Sequence, residues 1–314
     1  MAKAKRQKKI IWALDPFERT DDTTEDLVAN LRQLAKAHGA KIEPVYVLSP
    51  DVIDVNVVYP DTWFKKYRPI TEKVISQYLK SFDLPELLSP RILTEKRGSI
   101  RAGTETLLKY AKRSGAEMIA VGTHARKGIS RLFLGSFSET IILYSKIPVL
   151  VVGTHTADGR AHKKIEEILY ATDFSKNSGL LFEKVLKLAK SLQARVTLLH
   201  AVPHPIEPIF QSGVYLLSGA WVTLPELLTS EENRKRALAK RYQEVAKRKG
   251  VELKVVFDSD HIGVSHIILK NAENNKSNLI AMAAESGLIK SALIGSIARE
   301  VVRTAPCPVW IVRK

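Results

Sequence analysis

The residues with the clearest chemical potential lie in Gly122-Thr123-His124-Ala125-Arg126-Lys127-Gly128, followed by Gly135-Ser136 at the start of a helical pattern. Glycine lets backbone amides approach a phosphate closely. A helix beginning at Ser136 presents unpaired N–H groups and the positive end of its dipole, which together attract anions. The Ser136 hydroxyl either caps that helix or donates to a phosphate. His124, Arg126, Lys127 and Arg131 add positive charge nearby. Spacing alone leaves a second reading open, in which Gly122 and Gly128 form ordinary turns and Ser136 is only a cap.

Other candidate chemistry is thin. Cys307 is the only cysteine and sits in the apolar run APCPVWIV, so an internal disulfide and a Cys-based zinc site are excluded and a buried, inert thiol is expected. His155 and His162 fall in a polar linker, and His200 and His204 flank a prolyl turn, so no metal site is expected. The P-loop pattern G-x4-G-K-[ST] is absent, and Asp15 is the one carboxylate placed to hold Mg²⁺ or orient a water. No catalytic residue is therefore assigned.

The elements that must position the glycine-rich stretch are short apolar runs alternating with helical patterns. IIWAL, KIEPVYV, PRILTEK, EMIAVG and PVLVVG read as buried strands, with helices over Glu25–His38, Thr71–Phe82 and Ser99–Ser114. EEILYAT, ARVTLLHAV, ELKVVFD, NLIAMAA and PVWIV repeat the strands, with helices over Gly179–Leu192, Pro225–Gly250 and His261–Ala272. Such alternation implies a doubly wound α/β fold, a five-stranded parallel sheet flanked by helices in each half. Ligands then bind beyond the carboxyl ends of the strands, where strand order reverses.

The second half repeats the first. Asp15 matches Asp173 at an offset of 158, and Gly135-Ser136 match Gly295-Ser296 at an offset of 160. A nearly constant offset from start to end means duplication of a whole domain, and 314 residues suffice for two cores. The expected boundaries are 1–153, a polar linker at 154–164, and 165–314.

The loop and its surroundings resemble the universal stress protein family, whose ATP-binding members carry G-x2-G-x9-G-[S/T] after strand four and an aspartate at the end of strand one. Here the pattern is Gly122-x2-Ala125-x9-Gly135-Ser136 within VGTHARKGISRLFLGS, with Ala125 standing where those members have glycine. The resemblance covers both halves almost end to end. It implies ATP, with or without Mg²⁺, as ligand and a role as nucleotide-dependent sensor or stress-response regulator. It places Asp15 beside ribose and adenine, Val47 at the base through its backbone, and Val121 on the adenine side. Gly122, His124, Ala125, Gly135, Ser136 and Phe137 would surround the phosphates. Alanine at 125 is expected to weaken binding without abolishing it, at about 1 kcal/mol if that position needs a positive φ.

The second copy departs further. Ala283 stands near the first glycine position, the loop is one residue shorter, and Glu285 adds negative charge with only Lys290 to offset it. That site is expected to be degenerate, or to take something less anionic. The resemblance also implies self-association through the final strands, met within one chain by Val149 and Val309.

The net charge of +16 comes largely from the N-terminal tail and Arg234–Lys249. Leu238, Tyr242 and Val245 form an apolar stripe there, so the cations are read first as a solvated helix face, with a nucleic-acid surface as the alternative. No apolar run is long enough to span a membrane, and no signal peptide is recognised, so a cytoplasmic protein is expected. The segments 48–69 and 203–224 hold Tyr59, Trp63, Tyr67, Phe210, Tyr215 and Trp221, which either complete an interdomain core or line a hydrophobic pocket. The alternatives to nucleotide sensing are slow ATP hydrolysis, or a scaffold that binds a hydrophobic ligand or nucleic acid.

Overall fold

A computed structural model describes residues 7–17, 22–50, 60–123, 136–153, 164–202, 214–217, 220–260, 262–283 and 295–313. The first half runs β1 (Lys9–Ala13), α1 (Asp22–His38), β2 (Lys41–Leu48), α2 (Asp61–Lys80), β3 (Arg91–Thr94), α3 (Ile100–Ser114), β4 (Met118–Gly122), α4 (Ser136–Tyr144) and β5 (Val149–Val152). The second runs β6 (Glu167–Ala171), α5 (Lys176–Leu192), β7 (Arg195–Ala201), β8 (Val214–Leu217), β9 (Ala220–Thr223), α6 (Leu224–Lys249), β10 (Leu253–Asp258), α7 (Val264–Asn274), β11 (Leu279–Ala283), α8 (Ser296–Thr304) and β12 (Val309–Val312).

Ten of the strands form one sheet in the order β10-β7-β6-β11-β12-β5-β4-β1-β2-β3, and β8 and β9 pair separately. In the large sheet, pairing is parallel within each half and antiparallel only where β12 meets β5. Strand order reverses between β1 and β4, and again between β6 and β11, which opens a crevice at the carboxyl ends of each pair.

Period-two alternation in the strands sends side chains to both faces, and both faces are covered. Ile10 and Trp12 of β1 join a core built with α1, α2 and α5, whereas Ile11 and Ala13 join one built with α3, α4, α7 and α8. Each core continues across the β5–β12 seam into the other half. The helices start and stop where local chemistry dictates. Ser99 Oγ accepts from the Ala102 N–H at 3.1 Å to cap α3, and Gly115, at φ +69°, ends it.

At the seam Leu150 lies opposite Trp310, two positions that match in the repeat. Both are buried, and burying such side chains stabilises by roughly 1.5–3 kcal/mol each. Val149 pairs with Ile311 and Val309 with Val151. The association expected through the final strands therefore occurs within the chain, and neither strand keeps a free edge for a second copy. Arg299 of α8 and Glu139 of α4, also matching positions, form a 3.0 Å ion pair across the same axis.

Three expectations need correction. The helix expected to begin at Thr71 begins at Asp61 and runs through Pro69. Pro69 disfavours a helix interior, but burial of Phe64, Thr71, Ile75 and Leu79 along one face holds the helix together. Trp63 and Tyr67 do not sit between the halves: they lie on α2, ring against ring at 4.6 Å, where α2 packs on β2 and β3 at the outer edge and Trp63 borders the first core. Contact between halves on that face is made by α1 and α5. Part of 203–224, expected as a loop, forms the antiparallel hairpin β8–β9, which carries Tyr215 and Trp221. Tyr59, Phe210 and the linker at 154–163 lie outside the described residues.

Candidate functional site

At the carboxyl end of β1 the chain turns sharply. Asp15 Oδ1 accepts a hydrogen bond from the Phe17 N–H at 3.0 Å, an Asx turn that fixes the carboxylate beyond the strand. The Leu14 N–H donates to the Val45 carbonyl at 3.2 Å, so this turn is registered against β2. Phe17 stands edge-on to Tyr46, ring centres 5.8 Å apart, and covers the turn from outside.

Val47 lies one residue before the end of β2, and Val121 and Gly122 close β4. Ser138 Oγ donates to the Gly122 carbonyl at 3.0 Å, which ties the first turn of α4 to the end of β4. Ser136 opens that helix and is exposed; Phe137 is half-buried. Gly103 of α3 joins the two sides, because a Cβ there would meet Val47 Cγ1 at 3.7 Å and Phe137 Cε2 at 3.8 Å. Asp15, Val47, Val121, Gly122, Ser136 and Phe137 thus gather at one end of the sheet. His124, Ala125 and Gly135 lie outside the described residues.

Sequence reasoning missed Glu95, one residue past β3. It is buried, and its carboxylate accepts from the Arg97 N–H at 2.9 Å, from Arg97 Nε at 3.0 Å and from Thr106 Oγ1 at 2.6 Å. Burial pushes this carboxyl up, but the bonds from Arg97 and Thr106 outweigh it and hold the pKa at about 2. The Glu95 N–H donates to the Leu48 carbonyl at 3.0 Å, so the clamp fixes the end of β2 next to Val47. A carboxylate closing an apolar strand, with arginine two residues on, was the available signal.

The second half repeats the turn: Asp173 Oδ1 accepts from the Ser175 N–H at 2.9 Å and from Ser178 Oγ. Burial raises the Asp173 carboxyl, and these serine bonds outweigh it, so the pKa is lowered. His200 Nδ1 lies 2.7 Å from the Thr172 carbonyl; an oxygen that only accepts makes that nitrogen the protonated one. Burial lowers the His200 pKa, which favours the neutral ring. A cavity of about 190 Å³ opens here, with Asp173, Ser178, His200 and Lys235 as its polar wall and Met282 and Ala283 among its apolar one. Glu285 and Lys290 lie outside the described residues. Among the described residues, no group of three or more His, Cys, Asp or Glu is arranged to hold a metal, and no helix is long and apolar enough to cross a membrane.

Comparison with known proteins agrees with this architecture. The sequence pattern of the Universal stress protein family matches residues 7–153 and again 164–313. A universal stress protein of Methanocaldococcus jannaschii is 30% identical over 153 residues, 46% of this chain and 81% of that protein. The crystal structure of a universal stress protein from Archaeoglobus fulgidus superposes with a TM-score of 0.68 at 18% identity, covering 99% of each chain. A further Archaeoglobus fulgidus universal stress protein, solved in complex with dAMP, aligns at 16% identity over 48% of this chain and 98% of that one, with a TM-score of 0.32. The chain belongs to the universal stress protein family and carries two of its domains in tandem.

Proposed function

We propose that the first domain binds ATP beyond the ends of β1, β2 and β4, and that the protein acts as a nucleotide-dependent sensor or regulator in a stress response. The observation that carries this reading is the bond from Ser138 to the Gly122 carbonyl. It sets the free N–H groups at the start of α4 beside the strand end from which the glycine-rich loop leaves, an arrangement suited to phosphate. Asp15, fixed by its own turn, is the acceptor for ribose hydroxyls. Val47, Val121 and Phe137 supply the apolar side for the base. His124 and Arg126 of the loop would add charge against the phosphates.

The test is the nucleotide content of the natively purified chain, with ATP titrated into wild type, Gly135→Val and Asp15→Ala. A single ATP per chain, lost when a valine side chain occupies the phosphate approach at 135, is the expected result. No bound nucleotide and no measurable affinity in wild type overturns the reading and leaves a scaffold role. Phosphate release that disappears in Asp15→Ala would promote slow hydrolysis over sensing.

A further inference from the structure

α6 is a 26-residue helix, about 39 Å long, whose inner face is spent on the core. Leu238, Tyr242 and Val245 pack inward, with Ala239 and Ala246 buried. The outward face between Asn233 and Gly250 carries one carboxylate, Glu244. Lys240, Arg241, Lys247 and Arg248 are exposed there, and no ion pair among the described residues engages any of them. The other cations differ: Arg234 pairs with Glu231, Arg236 with Glu232, and Lys249 with Glu183 of α5. The four free cations form two adjacent pairs seven residues apart, about 10.5 Å along the axis.

The sequence alone reads this run as one solvated helix. The tertiary structure enlarges it. α5 packs beside α6, with Phe182 stacked on Tyr242 at 4.2 Å between ring centres, and exposes Lys184 and Lys190 on the same side of the sheet. The result is a two-helix surface on which cations outnumber carboxylates.

We infer that the outer face of α6, with α5 beside it, docks on the phosphate backbone of a nucleic-acid duplex. Charge complementarity and the scarcity of apolar anchors choose this occupant: among the described residues of α5 and α6, Leu180 is the one large apolar side chain left exposed. A helix that inserts into a membrane interface needs an apolar face, and the apolar face of α6 is buried. A protein partner needs aromatic or aliphatic side chains at the centre of the contact, and among the exposed positions from Asn233 to Arg248 only Ala237 is apolar. A duplex offers a fixed line of anions and demands only cations. From Arg234 to Arg248 the face covers about 21 Å, or about six base pairs at 3.4 Å each. Such docking reads no sequence and falls steeply with salt.

The experiment is fluorescence anisotropy of a labelled mixed-sequence DNA duplex against the full chain at several salt concentrations. Four phosphate contacts predict a slope of log affinity on log salt near −3.6, an affinity loss of about 150-fold between about 50 and 200 mM. The quadruple variant Lys240→Gln, Arg241→Gln, Lys247→Gln and Arg248→Gln should lose binding and most of the slope, with its circular dichroism and ATP affinity unchanged. The control removes the same charge from the equivalent helix of the first half: Lys65→Gln, Lys66→Gln, Lys73→Gln and Lys80→Gln, all exposed on α2. It should leave duplex affinity within about twofold, apart from the long-range effect of net charge. Equal loss in both variants, salt-independent retention, or binding to phosphatidylserine vesicles without binding to duplex each overturns the inference.

Discussion

The two halves share one backbone plan and differ in the side chains they place on it. In each, an aspartate beyond the first strand accepts the N–H two residues on, Phe17 to Asp15 and Ser175 to Asp173. In each, the residue before it donates to the second strand, Leu14 to Val45 and Thr172 to Leu199. Strand register then aligns the rest: Tyr46 corresponds to His200, Val47 to Ala201 and Gly122 to Ala283. The backbone plan persists because sheet register and turn geometry hold it in both copies. The side chains facing the crevice carry no such constraint, and there the copies have diverged. Asp173 is tied down by a second serine, and His200 closes part of the wall with a neutral ring.

The largest effect is expected at the seam, where the matching positions Leu150 and Trp310 are unlike. Trp310→Ala should cost about 3–5 kcal/mol by chemical denaturation, because it leaves a large void between the halves. Trp310 Nε1 is buried with no hydrogen-bond partner among the described residues. Trp310→Phe, which removes that orphan donor and keeps most of the volume, should therefore cost less than about 1.5 kcal/mol. An equal cost for both would mean that the indole nitrogen has a partner.

Next in size is the contrast between the phosphate helices. Gly135→Val should raise the Kd for ATP at least about a hundredfold, or about 2.8 kcal/mol, whereas Gly295→Val should leave the stoichiometry and affinity unchanged by calorimetry. A drop in stoichiometry with Gly295→Val would show that the second crevice also holds ATP and erase the proposed division of labour.

The Glu95 clamp belongs to the first half and should matter in a defined pH window. Its carboxyl titrates at about 2 in the folded chain against 4.5 when unperturbed, so its contribution is complete above about 4.5 and lost as pH falls toward about 2. Glu95→Gln should destabilise by about 1–3 kcal/mol near pH 7, and the difference from wild type should shrink as pH drops below about 4. A difference that stays constant with pH would mean that the clamp works through shape alone. The smallest effect is expected at the exposed Glu139–Arg299 pair. A double-mutant cycle there should give a coupling of about 0.2–1 kcal/mol that salt removes.

Much of the fold was legible because it is written locally. Alternating apolar runs, the Ser99 cap and the Gly115 stop each act within a few residues, and duplication showed as matching spacing between Asp15 and Asp173. The Gly122 and Gly135-Ser136 positions could be singled out for the same reason, whereas Asp15 and Val47 were singled out as site residues only by resemblance to the family. α2 begins ten residues before the expected Thr71 because burial of Phe64 and Ile75 along one face carries it through Pro69, which local preference alone disfavours. Glu95 escaped because its worth depends on Arg97 and on Thr106, eleven residues away on the next helix.

By itself, the sequence determined two α/β units and the first copy as the richer in glycine and basic residues after its fourth strand. Tertiary structure alone decided the register in which β5 and β12 join the units, which sets Trp310 opposite Leu150 and Val149 opposite Ile311 instead of Val309, and that α5 lies beside α6. Those outcomes depend on contacts between residues far apart in the chain, whose partners are chosen by burial of both sheet faces and not by any neighbouring residue.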